Sequence, residues 1–155
     1  MASALTSLWV YRLIRWSLAG VFLYAGGTKL ADPAAFAALI DAYGIVPDPL
    51  LVPVAVGLPA LEVAAGIGLM ADIRGSLTVT SVLLAAFMAV LAYGIRMGLD
   101  VDCGCFGPED IESRAYHGLR QAFYRDLVMG VGIVYLYAWR RCRSIRSVGL
   151  STVTR

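Results

Sequence analysis

The chain has 155 residues, of which 59% are hydrophobic and 15% charged, with a formal net charge of +2. Soluble domains carry roughly 25% charged residues, and a domain this small keeps too much surface per volume to hide so apolar a composition from water. An ordinary soluble domain is excluded, a lipid bilayer is the expected partner, and no nucleic-acid partner is expected.

A helix needs about 20 apolar residues to cross the hydrocarbon core of a bilayer. The first expected span runs from about Val10 to Thr28, with Arg12 and Arg15 at one end. No small-residue cleavage site precedes a mature domain, so this helix is read as retained. A linker from Ala31 to Pro49 follows. The second span, about 50–71, carries Glu62 roughly twelve residues in, near the midplane at about 1.5 Å per residue. An intramembrane carboxylate is a functional candidate by default. The plainer reading is a carboxyl hydrogen-bonded within the bundle, to Ser17 or Tyr24. Ala60, Ala64 and Gly68 recur at every fourth residue of this span, a spacing that lets helices approach closely in lipid. Asp72-Ile73-Arg74-Gly75 is a tight turn into the third span, about 76–95, which has no charged residue. The two spans therefore form an antiparallel hairpin.

A long loop, 96–120, leads to the fourth span, about 121–139. Gly130 and Gly132 offer a further close-packing face there. Arg125 and Asp126 are adjacent, so on a helix they point about 100° apart and need not pair. Each is expected to reach the interface, with Arg125 beside the preceding loop as the functional alternative. Trp9, Trp16 and Trp139 fall near predicted helix ends, as in an interfacial belt. The expectation is one domain over 1–155: an all-α integral membrane protein, a four-transmembrane-helix up-down bundle with a tail at 140–155.

Orientation follows from lysine and arginine. Four spans put both termini on one side, and that side holds eight of these residues against five on the other. The eight include Arg12, Arg15, Arg74 and the cluster from Arg140; Lys29, Arg96, Arg114, Arg120 and Arg125 are the five. The expected arrangement has both termini in the cytoplasm and loop 96–120 outside.

That loop holds the segment with the most chemistry, Asp102-Cys103-Gly104-Cys105-Phe106-Gly107-Pro108. Two cysteines separated by one glycine are near enough for a disulfide, and glycine tolerates the backbone angles that so small a ring requires. A three-residue ring constrains little of the unfolded chain, which argues against a purely structural bridge. Strained, exposed disulfides are the labile and catalytic ones. Three readings stand: a redox-active dithiol, inert cysteines, or a metal site. The last lacks ligands, since only His117 accompanies the pair and structural zinc takes four. Asp100 and Asp102 disfavour a thiolate, while Arg96 and Arg120 favour one. Cys142, among the tail arginines, is read as a bystander.

The Cys103-Gly104-Cys105-Phe106-Gly107 segment before the last helix resembles the MauE branch of the DoxX-like membrane proteins. Gly20 to Pro33, which reads GVFLYAGGTKLADP, agrees with it, as do Phe36, Tyr43, Pro47 and Glu62 in Pro59-Ala60-Leu61-Glu62. The resemblance covers roughly Arg12 to Trp139. It implies a four-helix inner-membrane protein linked to redox metabolism, to disulfide formation in or maturation of a periplasmic methylamine dehydrogenase, and to thioredoxin-like partners. The plan is also similar to vitamin K epoxide reductase and DsbB, which pass thiol electrons to quinone. This chain differs from both in carrying CxC in place of CxxC and no second outward pair.

The leading expectation is a membrane thiol–disulfide oxidoreductase in the bacterial inner membrane. Cys103 and Cys105 are its catalytic pair, with Glu62, Arg125 and Lys29 in support. A periplasmic thioredoxin-like protein or redox enzyme is the partner; quinone is the only cofactor the resemblance suggests, and no metal is expected. The alternatives are a non-catalytic assembly factor for a periplasmic redox enzyme, and a transporter or small-molecule-binding bundle using Glu62.

Overall fold

The structure, a computed structural model, describes residues 8–98 and 118–143. Every regular element among them is a helix: α1 (Leu8–Ala31), α2 (Pro33–Ala42), α3 (Asp48–Met70), α4 (Ser76–Met97) and α5 (Gly118–Arg143). The all-α class agrees with the composition. α3 and α4 are long and apolar enough to cross a membrane, each with a mean hydropathy of 2.0 in its most apolar stretch. α1 and α5 have the length, at 24 and 26 residues. They fall short in hydropathy, since α1 carries Arg12, Arg15 and Lys29 and α5 carries Arg120, Arg125, Asp126 and the arginines of its last turn.

The segment expected to be a plain linker contains α2. Asp32 caps it, its carboxylate accepting the backbone N–H of Ala35 at 3.0 Å, and Pro33 occupies the first turn, where its missing N–H costs nothing. The Asp72–Gly75 turn is as expected. Asp72 takes a left-handed conformation with φ 57°, which aspartate tolerates better than most residues.

α1 packs mainly on α3, α4 on α5, and α3 on α4, while α5 closes the ring against α1. The start of α1, the α3–α4 turn and the end of α5 meet at one end, so the long helices alternate in direction. Tyr11, Leu18, Phe22, Leu69, Leu77, Leu84 and Leu136 are among the side chains of the main core. A smaller cluster of Tyr43, Leu91, Leu119 and Ala122 sits at the opposite end, where α4 stops and α5 begins.

The packing face of α3 differs from the one its small residues suggest. Ala60 and Ala64 are exposed, and of that trio only Gly68 is buried. The inward face is Ala55, Pro59, Glu62, Ala65, Gly66 and Leu69. Closest approach is made by two other glycines. A Cβ on Gly26 of α1 would lie 2.8 Å from the Pro59 carbonyl oxygen, and one on Gly66 would lie 2.9 Å from Leu23 and 3.1 Å from the Ala19 carbonyl oxygen. Gly132 faces Ile14 and Leu18 of α1, as its expected packing role requires.

Candidate functional site

The tight seam between α1 and α3 sets up the charged centre. Gly26 lets the last turn of α1 settle against Pro59 and Glu62, which brings Lys29 over the Glu62 carboxylate. Lys29 Nζ donates to both oxygens, at 2.7 Å to Oε1 and 3.0 Å to Oε2. Lys29 is only 6% exposed and Glu62 only 1%. Lys29 thus belongs to α1 and to the interior, not to the outward side just beyond a helix end at Thr28 where the charge count puts it. Neither partner proposed for Glu62 is used, as Ser17 and Tyr24 are both exposed. Separating such a pair leaves an uncompensated buried charge, which in other proteins costs about 3–5 kcal/mol. The ammonium also lies over two rings, 5.3 Å from the centroid of Phe36 on α2 and 4.8 Å from that of Phe87 on α4.

α5 contributes a second pair. Arg125 Nε and Nη2 donate to Asp126 Oδ1 at 3.3 and 3.2 Å. The two side chains do pair, although their roughly 100° separation does not require it, because Arg125 is long enough to curl back over its neighbour. Asp126 does not reach the interface either: it is 3% exposed. Helical spacing alone could not show that Asp126 faces inward; the signal was its acidity within an apolar run.

Both pairs line one cavity of about 250 Å³. Its walls are otherwise mostly apolar, with Val54 and Leu58 from α3, Leu84, Val90 and Leu91 from α4, and Phe22 from α1. α2 covers one side with Phe36, Leu39 and Ile40, and Tyr43 follows directly after it. Every helix contributes. The two pairs cancel in charge, so the cavity suits a neutral guest. Lys29 has three N–H donors and spends two on Glu62, which leaves one for an acceptor oxygen.

A second polar cluster, not foreseen from the sequence, lies at the other end. Arg15 Nη1 forms an ion pair with Asp72 Oδ2 at 2.7 Å, and Arg140 Nη2 donates to Asp72 Oδ1. Tyr11 Oη donates to Asp72 Oδ1 at 3.3 Å and accepts from Arg140 Nε at 3.0 Å, and its ring stacks on Trp139 with centroids 4.3 Å apart. Trp9 and Trp16 are exposed, as a belt requires, but Trp139 is buried in this stack.

Cys103, Cys105 and His117 lie outside the described residues, as do Asp100, Asp102 and Arg114. Cys142 is exposed and unpaired with another cysteine. Among the described residues no group of three or more His, Cys, Asp or Glu side chains is placed to hold a metal ion.

Two apolar helices of membrane-spanning length thus pack with their neighbours around buried ion pairs, an all-α arrangement with a charged interior. Residues 7–139 match the family model described as methylamine utilisation protein MauE, and the chain belongs to that family. Membership links it to methylamine utilisation and, with the two apolar helices, supports a place in a lipid bilayer. No curated protein and no solved structure matches the chain.

Proposed function

We propose that this MauE-family protein is a thiol–disulfide oxidoreductase of the bacterial inner membrane that serves the maturation of a periplasmic redox enzyme. In this reading all four long helices cross the bilayer, both termini are cytoplasmic and loop 96–120 is periplasmic. The observation that carries it is where the cavity lies. Leu91 of α4 and Arg125 of α5 are six and seven residues from Met97 and Gly118, the helix ends that flank the CxC loop. At 1.5 Å per residue that is about 10 Å along each helix. Cys103 is five residues beyond Gly98, a reach of at most about 18 Å.

A partner dithiol, in a thioredoxin-like protein or in the maturing enzyme, attacks the Cys103–Cys105 disulfide as a thiolate. The mixed disulfide resolves to an oxidised partner and a reduced Cys103–Cys105 pair, with two electrons and two protons gained by the pair. Reoxidation needs an acceptor of two electrons. A quinone fits the cavity in size and polarity, and when bound it supplies that two-electron, two-proton sink. Lys29 offers its spare N–H to an acceptor oxygen, Glu62 holds the ammonium in place, and the Leu84, Phe87 and Leu91 side of the cavity excludes water.

Mass spectrometry of the purified protein across a series of redox buffers tests the reading. The expected result is one two-electron transition that interconverts two thiols and a Cys103–Cys105 disulfide. Cys103→Ser or Cys105→Ser should abolish thiol exchange without unfolding the bundle, and one of them should trap a mixed disulfide. Two free thiols at every potential, with enzyme maturation intact in the double Ser variant, would replace this reading with that of a non-catalytic assembly factor, which the family match equally accommodates.

A further inference from the structure

The cluster around Asp72 has more donors than acceptors. Each guanidinium presents five N–H groups, and Arg15 and Arg140 share the one carboxylate of Asp72. Arg15 is 8% exposed, yet its Nε has no hydrogen-bond partner. Buried donors without acceptors are uncommon and call for an explanation. Charge tells the same story on a larger scale. Arg12, Arg74 and Arg141 are exposed at this end. Among the described residues Asp72 is the carboxylate that meets Arg15 and Arg140, while Glu62 and Asp126 are committed to pairs of their own. The adjoining surface of α1 is apolar and aromatic, with Trp9 75%, Leu13 66% and Trp16 51% exposed. Arg12 lies over the Trp9 ring at 5.9 Å.

We propose that this end of the bundle binds the phosphate of an anionic phospholipid, with the Arg15–Asp72–Arg140 cluster as its floor and Arg12 and Arg74 as its rim. A phosphate supplies the acceptors that the arginines lack and offsets their surplus charge. Free phosphate offers the same chemistry, but the exposed Trp9, Leu13 and Trp16 favour a headgroup with acyl chains beside it. Basic pockets between helices at a membrane surface are suited to such headgroups. The proposal uses none of the residues assigned to thiol exchange, so it stands or falls separately from that function.

Native mass spectrometry of the full chain, released from detergent micelles containing defined lipid, reads the outcome. Phosphatidylglycerol should be retained over phosphatidylcholine, and millimolar inorganic phosphate should displace it only weakly. The Arg12→Gln/Arg74→Gln double variant changes exposed side chains and should fold. Its retention of phosphatidylglycerol should fall by about tenfold or more, given the attraction per basic residue near an anionic lipid surface. Arg15→Lys keeps a cation for Asp72 but removes the Nε donor, and should also weaken retention. Arg96→Gln/Arg120→Gln removes equal charge at the opposite end and should leave it unchanged. Equal retention of the two lipids, an equal loss in the Arg96/Arg120 control, or tight binding of inorganic phosphate with no lipid preference would each overturn the proposal.

Discussion

At the scale of single residues, the Lys29–Glu62 pair is the feature on which most depends. Its two hydrogen bonds are made away from water, so the partners are coupled: each makes the other's burial tolerable. Glu62→Leu strands an ammonium among Phe36 and Phe87 and should destabilise the protein by about 3–5 kcal/mol. Adding Lys29→Met removes the stranded charge and should restore much of the loss. Glu62→Gln keeps one acceptor oxygen for Lys29, so it should fold while lowering thiol-oxidation turnover. Thermal unfolding of the four proteins in one detergent measures the coupling directly. If the double variant is no more stable than Glu62→Leu, the two residues do not act as a unit. If Glu62→Gln turns over at the normal rate, the pair is only structural.

At the scale of helices, the α1–α3 seam places that pair. Gly26 abuts the backbone of α3, and a carbonyl oxygen cannot move aside as a side chain can. Gly26→Ala should therefore cost about 1–3 kcal/mol, the usual range for overpacking. Gly57, on the same helix pair, has nothing within 4 Å of an added Cβ. Gly57→Ala should be neutral or stabilising by up to about 1 kcal/mol, since alanine is the better helix former. Denaturation midpoints of both variants give the comparison, and equal effects would contradict the close approach. At the opposite end Tyr11, Arg15, Asp72 and Arg140 tie α1, the α3–α4 turn and α5 together.

At the scale of the whole molecule, the arrangement of helices makes topology testable through Cys142, which is exposed on the last turn of α5. The start of α1 and the end of α5 share one end of the bundle, so one label orients both. In intact spheroplasts a membrane-impermeant thiol reagent should leave Cys142 unmodified in a variant lacking the other two cysteines. The same reagent should modify a variant that retains only Cys103. Modification of Cys142 with protection of Cys103 would invert the proposed orientation and move the CxC loop to the cytoplasm.

Sequence by itself determined the helical class, the α3–α4 hairpin and the approximate extents of the four long helices, because hydropathy and turn residues act locally along the chain. It also marked Glu62, because a carboxylate in an apolar helix is conspicuous without any partner being known. What it could not supply was the partner. Lys29 lies 33 residues from Glu62, and an assumed helix end at Thr28 put it on the wrong side of a boundary. The small residues of α3 misled in the same way: several faces of a lipid-embedded helix carry alanine and glycine, and only contact with α1 selects one. The inward turn of Asp126, the burial of Trp139 on Tyr11 and the arginine cluster at Asp72 were likewise decided by tertiary structure. Each depends on side chains from distant segments meeting in a medium where an unpaired charge is expensive, and no local pattern along the chain encodes that meeting.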